Sequence, residues 1–267
     1  MKKQTYLLPW KVTWINGIEV NYLGSLDSPS MLVFVGRNNS KKKSTSIDFL
    51  IQELHLMGIS VCWYESKTMQ TSKLLTSKYE LFCKTRFAQV LQRNPIFETL
   101  FRRVIKSFIL LAHPKRWDYL LRAKMLGKIY FLGSDLRAFL CSLASKNVFL
   151  ISHSAGGITS SSIESEFAIK AMACFGYPFK HPDRGHESYR TKHLANLKKP
   201  FLILQGANDE YGSSEDARRY ALSPSIQIAP LESGHDYDNL SETDFRTTLV
   251  LLQDFFRLNQ RDGIRHD

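Results

Sequence analysis

The sequence predicts an α/β fold: a mostly parallel central sheet with flanking helices, interrupted by one inserted helical segment. Three observations carry that expectation. Short apolar runs such as Met31–Val35, Val148–Ile151 and Phe201–Leu204 read as strands buried on both faces. Stretches with helical periodicity alternate with them, as βαβ units require. The stretch from Ser66 to Lys128 is far too long for an ordinary connection, and its composition differs from everything around it. A chain of 267 residues with 43% hydrophobic content can bury the core of one such domain without covalent staples.

Taken in order, Met1 to Lys11 begins like a secretion signal, but Pro9 and Lys11 cut its apolar stretch short. A hairpin is expected instead. Val12-Thr13-Trp14-Ile15 and Ile18-Glu19-Val20-Asn21-Tyr22 flank Asn16-Gly17, the pair best suited to a type I′ turn. Next come the strand Met31–Val35, a helix over Ser46–Met57 stopped by Gly58, and the strand Ile59–Tyr64. No apolar run reaches the roughly eighteen residues of a membrane span. Cys62, Cys141 and Cys174 lie in or beside apolar runs, and Cys83 lies in a helical stretch. None shows zinc-ligand spacing, so buried free thiols, a reducing compartment and a cytoplasmic location are expected, with no metal.

The insertion carries the net charge of the chain. Between Ser66 and Lys128 there are fourteen basic residues against three acids, whereas the rest has 22 of each. Three units follow: residues 1–65 and 129–267 as the two parts of the core, and 66–128 as a basic helical lid. Within the lid Phe97, Leu100, Phe101, Val104, Ile105, Phe108 and Leu111 recur at steps of three and four, marking one apolar helix face, with Arg102, Arg103 and Lys106 largely elsewhere. Three readings of this unit compete. It can be a solvated basic face over an ordinary buried stripe. It can rest on an anionic membrane, or steer an anionic or lipid-linked substrate, with Lys41-Lys42-Lys43 adding positive potential. A nucleic-acid partner is not expected, because no recognition motif accompanies the charge.

Past a helix over Leu136–Ala144, Val148-Phe149-Leu150-Ile151 leads directly into Ser152-His153-Ser154-Ala155-Gly156-Gly157 and then a segment able to start a helix. Small residues around a serine between strand and helix mark a tight turn that holds the hydroxyl clear of the sheet, which makes Ser154 the candidate nucleophile. A neutral serine needs a base. After the strand Ala171–Phe175, the run Pro200-Phe201-Leu202-Ile203-Leu204-Gln205-Gly206 enters a loop holding Asp209, and Ile226–Ala229 enters a loop holding His235. Both lie where parallel sheets put functional groups. His235 is the candidate general base and Asp209 the carboxylate that orients it. Asp216 is a rival to Asp209 but falls in an expected helix over Ser214–Tyr220, while Asp236 and Asp238 follow His235 too closely to face it. His153 is expected to pack or cap, and His181, His186 and His193 lack metal-site spacing. A closing helix is expected over Asp244–Arg257.

These residues, in the order serine, aspartate, histidine, resemble those of α/β-hydrolase-fold serine hydrolases, and the likeness covers nearly all the chain outside the insertion. Gly176-Tyr177-Pro178-Phe179, His193-Leu194 and Leu204-Gln205-Gly206 with Asp209 look like the branch of dienelactone-hydrolase-like proteins and relatives of testis-expressed protein 30. Ser152 stands where the family pattern has glycine, and Val35-Gly36-Arg37 where members commonly have His-Gly. The resemblance implies an oxyanion hole built from the backbone N–H groups of Ala155 and Arg37. It implies a serine hydrolase that cleaves a carboxylic ester or thioester through an acyl-serine, without cofactor. The alternative is a catalytically silent scaffold that binds a partner or acidic ligand through its basic lid.

Overall fold

Asn16 (φ 50°) and Gly17 (φ 72°) both adopt left-handed backbone, so strands β1 (Lys11–Ile15) and β2 (Ile18–Leu23) close through the expected type I′ turn. The computed structural model describes residues 8–36, 44–84, 95–117, 128–144 and 147–258. Its further strands are β3 (Ser30–Val35), β4 (Ser60–Tyr64), β5 (Asn147–His153), β6 (Ile169–Phe175), the short ribbon β7 (Lys180–His181) and β8 (Gly185–His186), β9 (Phe201–Gly206) and β10 (Ile226–Leu231). Apart from the ribbon they form one sheet in the order β1-β2-β4-β3-β5-β6-β9-β10, antiparallel at β1/β2 and β2/β4 and parallel elsewhere. Five successive residues of β3, Met31 to Val35, are buried, as an inner strand covered on both faces must be.

Helices supply those covers. On one face α1 (Thr45–Leu56) and the closing helix, α8 below, bury Ile47, Leu50, Leu54, Leu252 and Phe256 against Leu32, Phe34, Leu202 and Leu204. On the other, Leu136 and Phe139 of one helix and Ile158 of the next pack on Val33, Leu150, Cys174 and Ile203. In chain order the helices are α1, α2 (Lys67–Cys83), α3 (Pro95–Leu111), α4 (Lys128–Cys141), α5 (Ala155–Ser162), α6 (Ser188–Thr191), α7 (Ser214–Ala217) and α8 (Glu242–Phe255). α4 begins eight residues earlier than its sequence pattern suggests, because Gly133 lies inside it and blurs the signal. α7 stops at Ala217 rather than Tyr220: beyond it Arg218 and Arg219 bond back only three residues, to Glu215 and Asp216.

The first helix of the insertion caps the sheet beside β4. From α2 the Gln70 amide donates to the carbonyl of Glu19 at 2.6 Å and accepts from its N–H at 3.0 Å, taking up the groups of β2 that lie beyond its pairing with β4 at Asn21 to Leu23. α3 leans on α2: Phe82 and Phe101 lie 5.8 Å apart, and Lys106 Nζ donates to Thr76 Oγ1 at 3.1 Å. The face by which α3 does so is only in part the one its sequence suggests, for of the apolar stripe Phe101 meets α2 but others do not. Arg102 and Lys106 lie over the ring of Tyr79, while Leu100, Val104, Phe108 and Leu111 point outward. Tyr79 and Thr76 on α2 take cationic stems and a polar head, so the polar-flanked side of α3 packs inward. Among the described residues no helix is long and apolar enough to cross a membrane.

All four cysteines are free. Cys62 and Cys174 are buried as expected, but Cys141, at the end of α4, is exposed and Cys83 half-exposed. Burial pushes the Cys174 thiol up to about 12, and that of Cys62 still higher. Iodoacetamide at neutral pH is therefore expected to modify Cys141 and Cys83 in the native protein, and Cys62 and Cys174 only after denaturation. Peptide mass spectrometry reads the difference; native alkylation of Cys174 would contradict this packing.

Candidate active site

β5 ends at His153, the backbone reverses through Ser154 at φ 55° and ψ −123°, and α5 starts at Ala155. A left-handed conformation at a residue with a side chain costs on the order of 1–3 kcal/mol and persists only where its surroundings enforce it. Here they do. The Ser154 N–H donates to the Phe175 carbonyl at 2.9 Å, and its own carbonyl accepts from the Gly157 N–H at 2.8 Å. A side chain at position 156 would collide with the carbonyl oxygen of Val35, so only glycine lets the start of α5 lie against the end of β3. Ser152 fits where a glycine is usual because its hydroxyl, fully buried, donates to the Ala173 carbonyl of the neighbouring strand at 3.0 Å.

The Ser154 hydroxyl is left half-exposed and points at a histidine. Its Oγ lies 2.7 Å from His235 Nε2, while His235 Nδ1 lies 2.9 Å from both carboxylate oxygens of Asp209. An ionised carboxylate can only accept, so Nδ1 carries the ring proton and Nε2 is the acceptor for the serine hydroxyl. The structure thus joins the three side chains, which come from loops after β5, β9 and β10, into one hydrogen-bonded chain.

Several further residues hold this chain, among them Gln205 and Gly176, which the sequence offered only as parts of motifs and without this role. Asp209 also accepts from Gln205 Nε2 at 3.1 Å and from the Tyr211 N–H at 2.8 Å, so its buried charge meets three donors. The Tyr211 ring covers the imidazole, with centroids 4.2 Å apart. Beneath the pair lies Gly176 at φ 56°, where an added methyl would come within 3.0 Å of Asp209 Oδ2 and 3.1 Å of His235 Nδ1. Tyr237 bridges two backbone groups of β9, donating to the Leu204 carbonyl at 2.9 Å and accepting from the Gly206 N–H at 2.8 Å. Burial, and then the Asp209 charge, push its hydroxyl well above the usual tyrosine range, so it stays protonated. Gln205 had a legible signal, a polar residue at the end of an apolar strand. Tyr211 and Tyr237 had none.

The rival residues lie elsewhere. Asp216 pairs with Lys180 at 2.6 Å, which holds its carboxyl below the usual range, and completes the capping box of α7 with Ser213. The carbonyl of Asp238 accepts from Ser46 Oγ at 3.1 Å, tying the histidine loop to α1, and the His235 imidazole meets Asp209. His153 packs, as expected: its Nε2 lies 3.0 Å from the carbonyl of His235, which it anchors. His193 Nε2 meets Ser161 Oγ at 2.7 Å, and burial lowers its basicity. Among the described residues no cluster of His, Cys, Asp and Glu could hold a metal ion. Ala155 is the first residue of α5, where helix N–H groups lack internal partners; Arg37 lies outside the described residues. A cleft of about 640 Å³ that includes Trp10, Trp14 and Trp63 opens at the β1–β2 edge of the sheet, away from Ser154.

Two substitutions probe this scaffold. Tyr237→Phe is expected to cost about 1–3 kcal/mol in urea unfolding, because it strands the buried Gly206 N–H, while the Leu204 carbonyl keeps the Gly176 N–H as a donor at 2.9 Å; an unchanged midpoint would show that the Gly206 N–H finds another partner. Gly176→Ala is expected to disturb the Asp209–His235 contact and a left-handed turn together, lowering the reactivity of Ser154 more than tenfold, by roughly the 1.4 kcal/mol or more that such strain represents. Wild-type reactivity in that variant would contradict the close packing beneath the pair.

The model of the family described as "Alpha/beta hydrolase domain" matches residues 126–257, the part of the chain that holds the three site residues. No curated protein sequence matches the chain significantly. Among solved structures the chain is similar to a predicted CIB-like hydrolase from Thermoplasma acidophilum, with a TM-score of 0.54 at 11% identity over 92% of this chain and 98% of that one. It is also similar to an α/β hydrolase from the metagenome of sediments of the lagoon of Mar Chica, Morocco, with a TM-score of 0.55 at 13% identity over 93% and 99%. A third is the esterase domain of a Rhodothermus marinus protein, with a TM-score of 0.54 at 13% identity over 90% and 92%. At these identities the likeness is one of fold. The protein has the α/β-hydrolase fold.

Proposed function

We propose that the protein is a serine hydrolase that cleaves a carboxylic ester or thioester through an acyl-serine intermediate. The observation that carries this reading is the unbroken chain from the half-exposed Ser154 hydroxyl through His235 to the buried Asp209 carboxylate. As Ser154 Oγ attacks the carbonyl carbon, its proton passes to His235 Nε2, and Asp209 stabilises the resulting imidazolium. The negative charge on the carbonyl oxygen is met by the Ala155 N–H, with Arg37 proposed as the second donor. Collapse of the tetrahedral species breaks the bond to the leaving alkoxide or thiolate, which takes the proton from His235. Water, deprotonated by the same histidine, then attacks the acyl-serine and releases the carboxylate and Ser154.

The finer assignments rest on sequence and charge. Gly176-Tyr177-Pro178-Phe179 and Leu204-Gln205-Gly206 favour the dienelactone-hydrolase-like branch, and the basic insertion favours an anionic or lipid-linked ester. The insertion, residues 66–128, is proposed as the unit that selects and admits substrate, and the four free thiols favour a reducing, cytoplasmic location.

Hydrolysis of a panel of p-nitrophenyl esters and acyl thioesters tests the reading. Ser154→Ala and His235→Ala are expected to abolish turnover, and Asp209→Asn to lower kcat about ten-thousandfold by favouring the wrong tautomer. Turnover that survives Ser154→Ala would remove the acyl-serine. A folded wild type inert to the whole panel would favour the silent scaffold.

A further inference from the structure

We propose that the insertion docks the protein on an anionic lipid surface through the outward face of α3. Leu100, Val104, Phe108 and Leu111, spaced by four, four and three residues, form one continuous stripe and are 60%, 43%, 65% and 58% exposed. A helix of a folded domain normally turns such a stripe inward. Here the inward face is the other one, where Leu110 is buried, Arg102 and Lys106 lie over Tyr79, and Lys106 bonds to Thr76. The outward stripe is therefore not an unfilled packing contact with α2. It is an apolar face left on the surface, of the kind that marks an interaction site.

Charge decides the occupant. Arg103 beside the stripe is exposed, as are Lys78 and Lys84 on α2 and Lys115 just after α3, against the acids Glu80 and Glu98. The whole insertion carries eleven more basic than acidic residues while the rest of the chain is neutral. A second copy presenting the same face would meet this charge with its own and be repelled. A nucleic acid would satisfy the charge but leave the stripe in water. An anionic bilayer surface satisfies both, taking the four side chains at the headgroup boundary and the basic flank among its phosphates. Trp117 adds an anchor of the interfacial kind: its ring is 46% exposed while its Nε1–H donates to the Leu110 carbonyl at 3.0 Å, at the end of the helix.

The proposal is independent of the hydrolase reading and is tested on the intact protein by flotation with phosphatidylcholine vesicles with and without phosphatidylglycerol. Binding to the anionic vesicles only, weakened by salt, is expected. Leu100→Glu/Phe108→Glu should lower the partition coefficient about tenfold or more, since each apolar side chain contributes about 1.5–3 kcal/mol when buried. Arg103→Glu should weaken binding by a smaller factor. All three positions are exposed, so thermal unfolding and labelling of Ser154 should stay as in wild type. Failure to float with anionic vesicles, equal flotation with neutral ones, or unchanged flotation of the double variant would overturn the proposal. So would a dimer in sedimentation equilibrium that the same double substitution dissolves, which would assign the face to a second copy.

Discussion

The backbone reversal at Ser154 is the constraint on which the site depends. A residue with a side chain is held in left-handed conformation between a buried parallel strand and a helix whose first turn touches the end of β3. Nothing local favours that geometry. Hydrogen bonds to Phe175 and from Gly157, the missing side chain at Gly156 and the satisfied hydroxyl of Ser152 together enforce it. The result is a hydroxyl that stands at the carboxyl end of the inner strand β5 instead of folding back into a helix.

The opposite wall is built by a buried charge. Asp209 remains inside because three donors meet it, and it fixes the tautomer of the histidine that faces the serine. Tyr237 and Gly176 then keep the loops after β6, β9 and β10 in register, and Ser44 and Ser46 at the start of α1 bind the carbonyls of Tyr237 and Asp238. The start of α1 and the loop that carries His235 are thereby joined. Ser154, His235 and Asp209 follow three different strands, yet a shared set of backbone contacts positions them.

Much of this was legible in the sequence, for a physical reason. Strands buried on both faces must be almost purely apolar, so β3, β5 and β9 announced themselves, and the serine, aspartate and histidine that the structure brings together follow β5, β9 and β10 as expected. Asn16-Gly17 spelled its turn. What failed to read out was whatever depends on which neighbour a side chain meets. The stripe of α3 has helical period, but period does not say whether the stripe faces protein or solvent, and only the packing of Tyr79 against Arg102 and Lys106 decides it. Cys141 sits in an apolar run yet at a helix end, where burial ceases. Tyr211 and Tyr237 act through a ring stacking and a backbone bridge across the fold, contacts no short-range pattern encodes.

The role proposed for the backbone reversal at Ser154 and for the buried Asp209 is to make one hydroxyl of this chain nucleophilic. The most direct measurement is reaction of the folded protein with a fluorophosphonate, followed by intact mass and peptide mapping. A single adduct is expected, on Ser154, that disappears when the protein is unfolded beforehand. An adduct on another residue, or a folded protein that acquires none, would contradict it.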